Sequence, residues 1–255
     1  PRYPHSQRTT QGAATTDSQT NGRSRLPDQS VNYIRNSVKA TVDAFTGAVT
    51  LYQWDTNDPI LKTWSKAFKG TITPKSKIPA DLEKHFRYPE DLFKVQRDLL
   101  SRYHLKTAAD FFQGSDYWQI PGDPSSRTTA ATDTSNPAAS LFNADASAPD
   151  QPPYYVVQQF PGTDNPTFSL TTAFVALRRQ NLTAVASVSS DPGDYGTIRL
   201  LQVPDSLTVN GPQQVANQFG SDARVRDNLL PLERGNSDVV VGNLLTLPVG
   251  GGLLY

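Results

Sequence analysis

The stretch FSLTTAFVALRRQNLTAVASVSSDPGDYGTIRLLQV (168–203) decides the fold. It is rich in Val, Leu, Thr and Phe, and clusters of turn residues divide it into segments of strand length. With the segment just before it, the predicted strands are 154–160, 168–177, 182–189 and 197–203. The loop DPGDYG (191–196) joins the last two, and its Asp, Pro and Gly residues are typical of a hairpin connection. The second half of the chain is therefore predicted to form an antiparallel sheet.

A second antiparallel element is predicted earlier in the chain. Apolar and polar residues alternate on both sides of Thr46-Gly47, and a period of two indicates half-buried strands. The predicted hairpin covers 37–44 and 48–54. We expect one face of it to be buried, with the side chains of Val38, Val42, Val49 and Leu51.

Short helices are predicted between this hairpin and the sheet, and again after the sheet. Asp58 is a capping residue, and Pro59 suits a first helical turn. The same signals place further helix starts at Pro79, Pro89, Thr107, Gly211 and Ser221. The helix after Pro89 is predicted to have an apolar stripe of Leu92, Val95, Leu99 and Tyr103.

The chain is predicted to return to strand at 239–241 and 244–247. Strands thus come before and after the helices without regular βαβ alternation. The predicted fold class is α+β, with antiparallel sheets and several short helices. The predicted division is an extended arm (1–30), a hairpin plus helical subdomain (31–121), a flexible linker or loop (122–152) and a mainly antiparallel β subdomain with two helices (153–255).

Composition excludes several functional classes. The 24 basic residues balance the 24 acidic ones, so no strong positive field favours nucleic acid as a partner. The chain has no cysteine, which excludes disulfides and thiolate metal sites. It also has no methionine and begins with Pro1, so we expect a fragment of a longer protein.

No nucleotide loop, nucleophile elbow or zinc-protease motif is present. Val249 precedes three glycines, but Leu-Leu-Tyr follows them where a phosphate loop needs Lys and Ser or Thr. The predictions are therefore no catalytic residue and no cofactor. A hydrolase is a less favoured alternative, with His104, Asp110 and Asp116 as its candidate residues.

A cation site is a further alternative in the loop 191–196. Asp191 and Asp194 place two carboxylates three residues apart beside glycines, and Ca²⁺ prefers such oxygen-rich loops. The same residues also suit a plain turn. Both interpretations stay open, and Ca²⁺ is the only cofactor that the sequence suggests.

Five stretches resemble one known family. They are VNYIRNSVKATVDAFTGAVTLYQWD (31–55), DPILKTWSKAFKGTI (58–72), RYPEDLFKVQRDLLSRYH (87–104), VSSDPGDYGTI (188–198) and VVGNLLTLPVGGGLLY (240–255). Together they are similar to uncharacterised protein family 0182, found mainly in actinobacteria. The resemblance implies integral membrane proteins with a large domain outside the cytoplasmic membrane, of which this chain is part. It implies no catalytic residues.

We therefore expect a structural or interaction module on the extracytoplasmic side of the cell membrane. Its expected partners are the membrane-spanning region of its own protein and a cell-envelope component or partner protein. A ligand-binding module for lipid, glycan or a cation is the first alternative. A deep apolar pocket, or oxygen ligands converging near Asp191 and Asp194, would favour ligand binding. A concave pocket lined by charged groups would favour the hydrolase instead.

Overall fold

A computed structural model describes residues 9–20, 29–31, 33–126, 148–233, 237 and 239–255. Most of the predicted arm and most of the predicted linker lie outside these residues. Within them the chain combines helices with antiparallel sheets. The predicted α+β class is confirmed.

The first half of the chain begins with short elements and continues with a hairpin and four helices. In order they are β1 (Thr9–Thr10), α1 (Gln11–Ala14), β2 (Ser30–Val31), β3 (Val38–Val42), β4 (Val49–Gln53), α2 (Pro59–Ala67), β5 (Ile72–Thr73), α3 (Ala80–Glu83), α4 (Glu90–Tyr103) and α5 (Ala108–Gln113).

The second half holds the main sheet and two further helices. Its elements are β6 (Trp118–Gln119), β7 (Tyr154–Gln158), β8 (Thr167–Ala176), β9 (Leu182–Ser189), β10 (Ile198–Gln202), α6 (Pro212–Ser221), α7 (Ala223–Leu229), β11 (Leu247–Val249) and β12 (Gly252–Leu254).

The main sheet has the order β10-β9-β8-β6, and β7 also pairs with β8. All of its pairs are antiparallel. The predicted strands at 154–160, 168–177, 182–189 and 197–203 are therefore confirmed to within a residue or two at each end. Strands β8 and β9 are buried along most of their length, because both faces of the sheet are covered.

One apolar cluster lies between α4 and the sheet. Phe93 of α4, Leu170 and Phe174 of β8, and Val188 of β9 are all fully buried in it. A second cluster on the sheet contains Phe160, Ala173, Leu182 and Val185. Since Phe93 and Leu170 belong to one cluster, residues from both predicted subdomains share a core. The subdomain boundaries themselves stay a prediction.

Helix α4 is buried over a wider arc than its predicted stripe. Val95 and Leu99 are buried as expected, but Tyr103 is 44% exposed. Phe93, Lys94 and Arg97 are buried instead of it. Two charged side chains therefore lie inside the protein, which an apolar periodicity does not predict.

The predicted hairpin is confirmed as β3 and β4, in antiparallel register with Val42 opposite Val49. Strand β5 adds to β4 in parallel. The predicted burial is wrong for two of its four residues. Val38 and Leu51 are partly buried, whereas Val42 is 65% and Val49 62% exposed. Both lie near the turn, beyond the part of the sheet that α2 accompanies.

The opposite face of the hairpin is fixed to the rest of the protein by Lys39. Its ammonium group donates to the carbonyl oxygen of Arg87 at 2.8 Å and to the hydroxyl of Tyr195 at 2.6 Å. It also lies 5.6 Å from the ring centroid of Trp54. Burial among these groups lowers the pKa of Lys39 to about 8. The face that carries Val42 and Val49 consequently points away from this attachment, because side chains alternate along a strand.

Most helix starts follow the predicted signals. The Asp58 carboxylate caps α2 by accepting from the N–H of Ile60 at 2.8 Å, and Thr107 caps α5 through the N–H of Asp110. The predicted cap at Ser221 is wrong. Helix α6 runs through Ser221, and Asp222 caps α7, since its carboxylate accepts from two backbone N–H groups.

The C-terminal strands are shifted from their predicted places. Residues 239–241 and 244–246 have no regular structure, and the strand begins at Leu247. It forms a two-stranded hairpin with β12, turning at Gly250 and Gly251. Both glycines have positive φ, a conformation that side chains disfavour. The glycine run is thus a tight turn between strands, as expected of a strand connection.

Candidate functional site

The two loop carboxylates predicted as a cation site have separate partners. Asp194 forms an ion pair with Arg199 at 2.7 Å, and this pairing lowers the pKa of its carboxyl. Asp191 accepts a long hydrogen bond of 3.4 Å from the N–H of Phe168. Both contacts suit a structured hairpin loop, and the cation site stays a prediction.

The three hydrolase candidates occupy different local roles. His104 stacks on Trp118 with ring centroids 3.6 Å apart, and its ring nitrogens face the carbonyl oxygens of Leu100 and Asp116. The Asp110 carboxylate accepts from the Thr107 hydroxyl at the start of α5. Among the described residues, no three His, Cys, Asp or Glu side chains form a group that could hold a metal ion.

A polar cavity of about 910 Å³ lies beside α4, where the β8–β9 turn and the start of α6 meet it. Its size is at the upper end of the range for small-molecule sites. Its charged lining comes from three places: α4, the segment after residue 147 and the β8–β9 turn. These charged residues are Asp98, Arg102, Asp150, Arg178 and Arg179.

These five charged side chains have no close partner within the part of the chain that the structure describes. None of them makes a hydrogen bond there, and none lies within ion-pair distance of another described side chain. All five residues are exposed, so three guanidinium groups and two carboxylates at the rim of one cavity have their hydrogen-bonding groups open to solvent.

Desolvation is the main influence on the two carboxyl groups. Asp98 and Asp150 are open to solvent on one side, yet surrounding protein atoms raise the pKa of both. The positive charges of Arg102 and then Arg97 oppose this rise in the pKa of Asp98. For Asp150 the charge of Arg97 opposes the rise in pKa and the charge of Asp98 adds to it. Raised carboxyl pKa values in a cavity are typical of functional sites.

Arg97 supports the cavity from behind. It is 1% exposed and donates through Nη1 to the carbonyl oxygen of Gln151 at 2.7 Å. The same nitrogen contacts the hydroxyl of Thr172 at 3.3 Å. This ties α4 to β8 and to the segment that carries Asp150.

The cavity wall is closely packed. A Cβ added at Gly122 would lie 2.6 Å from Nε2 of Gln213 and 2.9 Å from Cβ of Ala148, so only glycine fits there without a shift. Arg178 adopts a left-handed backbone with φ of 60°, and its N–H donates to the Gln119 side chain. Such strained positions in non-glycine residues persist where the surrounding structure fixes them.

A second feature is an apolar surface on the hairpin and α2, which we call the hairpin–α2 surface. Val42 and Val49 lie on the sheet face that also carries Val38 and Leu51. Ile60, Trp64 and Phe68, at intervals of four along α2 and its end, border an open groove of about 510 Å³ on that face. The surface comprises Val42, Phe45, Val49, Ile60, Trp64 and Phe68, each at least 50% exposed.

Lysines are frequent in α2 and in the residues that follow it. Between residues 59 and 79 the chain has five lysines and no acidic residue. They are Lys62, Lys66, Lys69, Lys75 and Lys77. Lys75 lies on the attached face of the hairpin, because its ammonium group is 4.1 Å from the ring centroid of Trp54. Asp58, just before them, is 3% exposed and is held by Tyr33 and by its capping bonds. The exposed charge of α2 and of the residues after it is therefore positive, while Asp43 adds one exposed carboxylate in the hairpin turn.

Comparison with known proteins gives a family. The model of the uncharacterised protein family UPF0182 matches residues 1–232. The chain belongs to UPF0182. Similar UPF0182 proteins include those of Kineococcus radiotolerans (49% identical over 272 residues) and Saccharopolyspora erythraea (48% over 253), each covering 99% of this chain. The protein of Thermobifida fusca is 49% identical over 259 residues and covers all of it. No solved structure matches.

The UPF0182 relatives are much longer than this chain. It spans 25% of the Kineococcus and Saccharopolyspora proteins and 24% of the Thermobifida protein. The family resemblance found in the sequence is confirmed. No helix of the described residues has the length and apolar character to cross a bilayer.

The polar cavity of this UPF0182 chain is not predicted by any local sequence pattern. Asp98 and Arg102 look like the solvent face of a helix, and Arg178-Arg179 looks like an ordinary turn between strands. The one available signal was the pair of adjacent arginines in a tight β8–β9 connection. Nothing local links them to Asp150, which lies 28 residues before Arg178.

Proposed function

We propose that this UPF0182 chain is an extracytoplasmic interaction module of a membrane protein, and that its hairpin–α2 surface rests on an anionic bilayer. The observation that carries this proposal is the apolar surface beside the lysines of α2 and its end, Lys62, Lys66 and Lys69. The family resemblance, which implies membrane helices elsewhere in the protein, supports the same location. The length of the relatives leaves room for those helices outside the present chain.

The apolar part of the surface favours an interface. Trp64 is 58% and Phe68 53% exposed, and their rings stack at 4.9 Å. Phe45 in the hairpin turn is 97% exposed. Exposed aromatic clusters of this kind mark sites of protein or membrane interaction. Tryptophan in particular partitions to the headgroup region of bilayers.

The charge favours anionic lipid as the occupant. A helix with aromatic residues on one side and lysines on the other is typical of segments that lie in the membrane interface. Lys62, Lys66 and Lys69 lie on α2 and directly after it, away from the Ile60–Trp64–Phe68 row. Each lysine near an anionic surface contributes roughly 1 kcal/mol. A neutral protein partner would gain nothing from these charges.

Vesicle sedimentation tests the proposal. Wild-type protein is expected to bind vesicles of equal parts phosphatidylglycerol and phosphatidylcholine, and to bind pure phosphatidylcholine weakly. Half of a large aromatic side chain is roughly 100 Å², or about 2.5 kcal/mol at ~25 cal/mol/Å². Trp64→Ala should therefore weaken binding at least about tenfold.

Two matched controls separate this surface from general stickiness. Phe112 is 88% exposed on α5, and Phe112→Ala should leave vesicle binding unchanged. Lys62→Gln with Lys66→Gln should weaken binding, while Lys84→Gln should not. Equal binding to both vesicle types would contradict the proposal. So would a Trp64-dependent dimer in sedimentation equilibrium without vesicle binding, since the surface would then pair two copies.

The location is tested in the full-length protein. Alkaline phosphatase is active only outside the cytoplasm. Inserted as a reporter at the exposed turn 191–194, it is expected to be active. Fluorescence from a green fluorescent protein inserted at the same point would place the chain inside the cell and contradict the proposal.

A further inference from the structure

The polar cavity beside α4 has the chemistry of a ligand site, and it lies apart from the hairpin–α2 surface. Its charged lining consists of three arginines and two aspartates without close partners in the described structure. We propose that this cavity binds a saccharide that carries a carboxylate group. This inference is independent of the membrane proposal, because no residue is common to the two features.

The mixed charge of the lining excludes simpler ligands. An apolar ligand would bury guanidinium and carboxylate groups without hydrogen bonds, which is costly. A cation would be repelled by Arg102, Arg178 and Arg179. A small inorganic anion would fill little of about 910 Å³ and would offer no hydroxyl donors to Asp98 and Asp150.

A saccharide matches both kinds of group at once. Each sugar hydroxyl donates one hydrogen bond and accepts others, so it can pair with a carboxylate on one side and a guanidinium on the other. Gln119, Gln180 and Ser101 add neutral polar groups to the same lining. The ring size of one or two sugars suits the cavity volume.

The acidic group follows from the charge balance. With three arginines against two aspartates, the charged lining has an excess of one positive charge. Arginine holds a carboxylate through two parallel hydrogen bonds. Arg178 and Arg179 at the β8–β9 turn are the natural pair for this group. Asp98 and Asp150 then accept from the hydroxyls.

Ligand-observed NMR tests this with glucuronic acid, glucose, inorganic phosphate and glycylglycine as probes. Saturation transfer is expected to be strongest for glucuronic acid and weaker for glucose. A hydrogen bond to a charged group contributes about 1.5–3 kcal/mol, so Arg179→Gln should weaken glucuronic acid binding about tenfold. Asp150→Asn should weaken both sugars. Arg224→Gln, at a side chain that is 92% exposed on α7, is the control and should change neither.

Three results would overturn the inference. The first is glucuronic acid binding that survives both Arg179→Gln and Asp150→Asn in variants with wild-type melting curves. The second is phosphate binding as strong as glucuronic acid and unaffected by Asp150→Asn, which would indicate a plain anion site. The third is saturation transfer to glycylglycine alone, which would indicate a peptide site.

Discussion

The buried lysine of α4 gives the most specific stability prediction. Lys94 is 0% exposed, and its ammonium group lies 2.5 Å from the Asp17 carboxylate and 2.7 Å from that of Glu90. The Asp17 side chain is also 0% exposed. The change Lys94→Met keeps most of the unbranched stem of the side chain and removes the ammonium group with its charge and its hydrogen-bond donors.

The expected loss follows from what remains behind. Among the described residues, the buried Asp17 carboxylate would keep the hydrogen bond from the N–H of Thr20 to Oδ1 at 3.1 Å, and Glu90 would face it without the Lys94 cation between them. Breaking a buried ion pair from one side costs about 3–5 kcal/mol. A domain is stable by about 5–15 kcal/mol in total. Lys94→Met should therefore remove a large part of the free energy of unfolding.

Urea denaturation followed by circular dichroism measures this loss. Lys84→Met is the matched control, because Lys84 pairs with Asp81 at 3.2 Å on the surface, with side chains 66% and 96% exposed. An exposed pair of this kind is worth at most about 1 kcal/mol. Adding Asp17→Asn to Lys94→Met should recover part of the loss. If Lys94→Met is no more destabilising than Lys84→Met, the ion pairs of Lys94 with Asp17 and Glu90 are not buried in the folded protein.

Three further predictions concern single residues. The unfolding free energy should rise between about pH 8 and pH 10, because the folded-state pKa of Lys39 is about 8 against ~10.4 unfolded; Lys39→Met should flatten this rise in pH-dependent denaturation. Asp58→Ala should lower the free energy of unfolding by about 2 kcal/mol at neutral pH. Hydrogen bonds hold the pKa of Asp58 below its usual value despite burial, so the difference between wild type and Asp58→Ala should disappear as acid protonates the folded carboxyl. A difference that is the same at every pH would contradict the prediction. Gly122→Ala should lower stability by about 1–3 kcal/mol through overpacking, whereas Gly193→Ala, with no atom within 4 Å of the new Cβ, should be nearly neutral in thermal melts.

Local patterns predicted the elements whose causes are local. The loop 191–196 and the segments around it gave the β9–β10 hairpin, and Asp58 and Thr107 mark true helix starts. Asp222, one residue after the predicted cap Ser221, is the stronger acceptor and caps α7 instead. The hairpin strands were placed in the right register, but burial of Val42 and Val49 depends on what covers them.

The candidate sites could not be predicted, because separate segments assemble them. Lys94 and Arg97 lie on the side of α4 opposite its predicted apolar stripe, which is normally the solvent side. Both are nevertheless buried, because Asp17 and the carbonyl oxygen of Gln151 contact them from distant parts of the chain. Asp150 joins Asp98 at the cavity for the same reason. Charge in the sequence shows that such groups exist, and only tertiary contacts show where they converge.

The membrane-facing role of the hairpin–α2 surface has a direct test in the tryptophans. Trp118 is 6% exposed in the core, whereas Trp64 is exposed on α2. Vesicles with phosphatidylglycerol and brominated acyl chains should quench part of the fluorescence of the wild-type protein, and Trp64→Phe should abolish that quenching. Quenching that is absent, or that is unchanged in Trp64→Phe, would contradict the account.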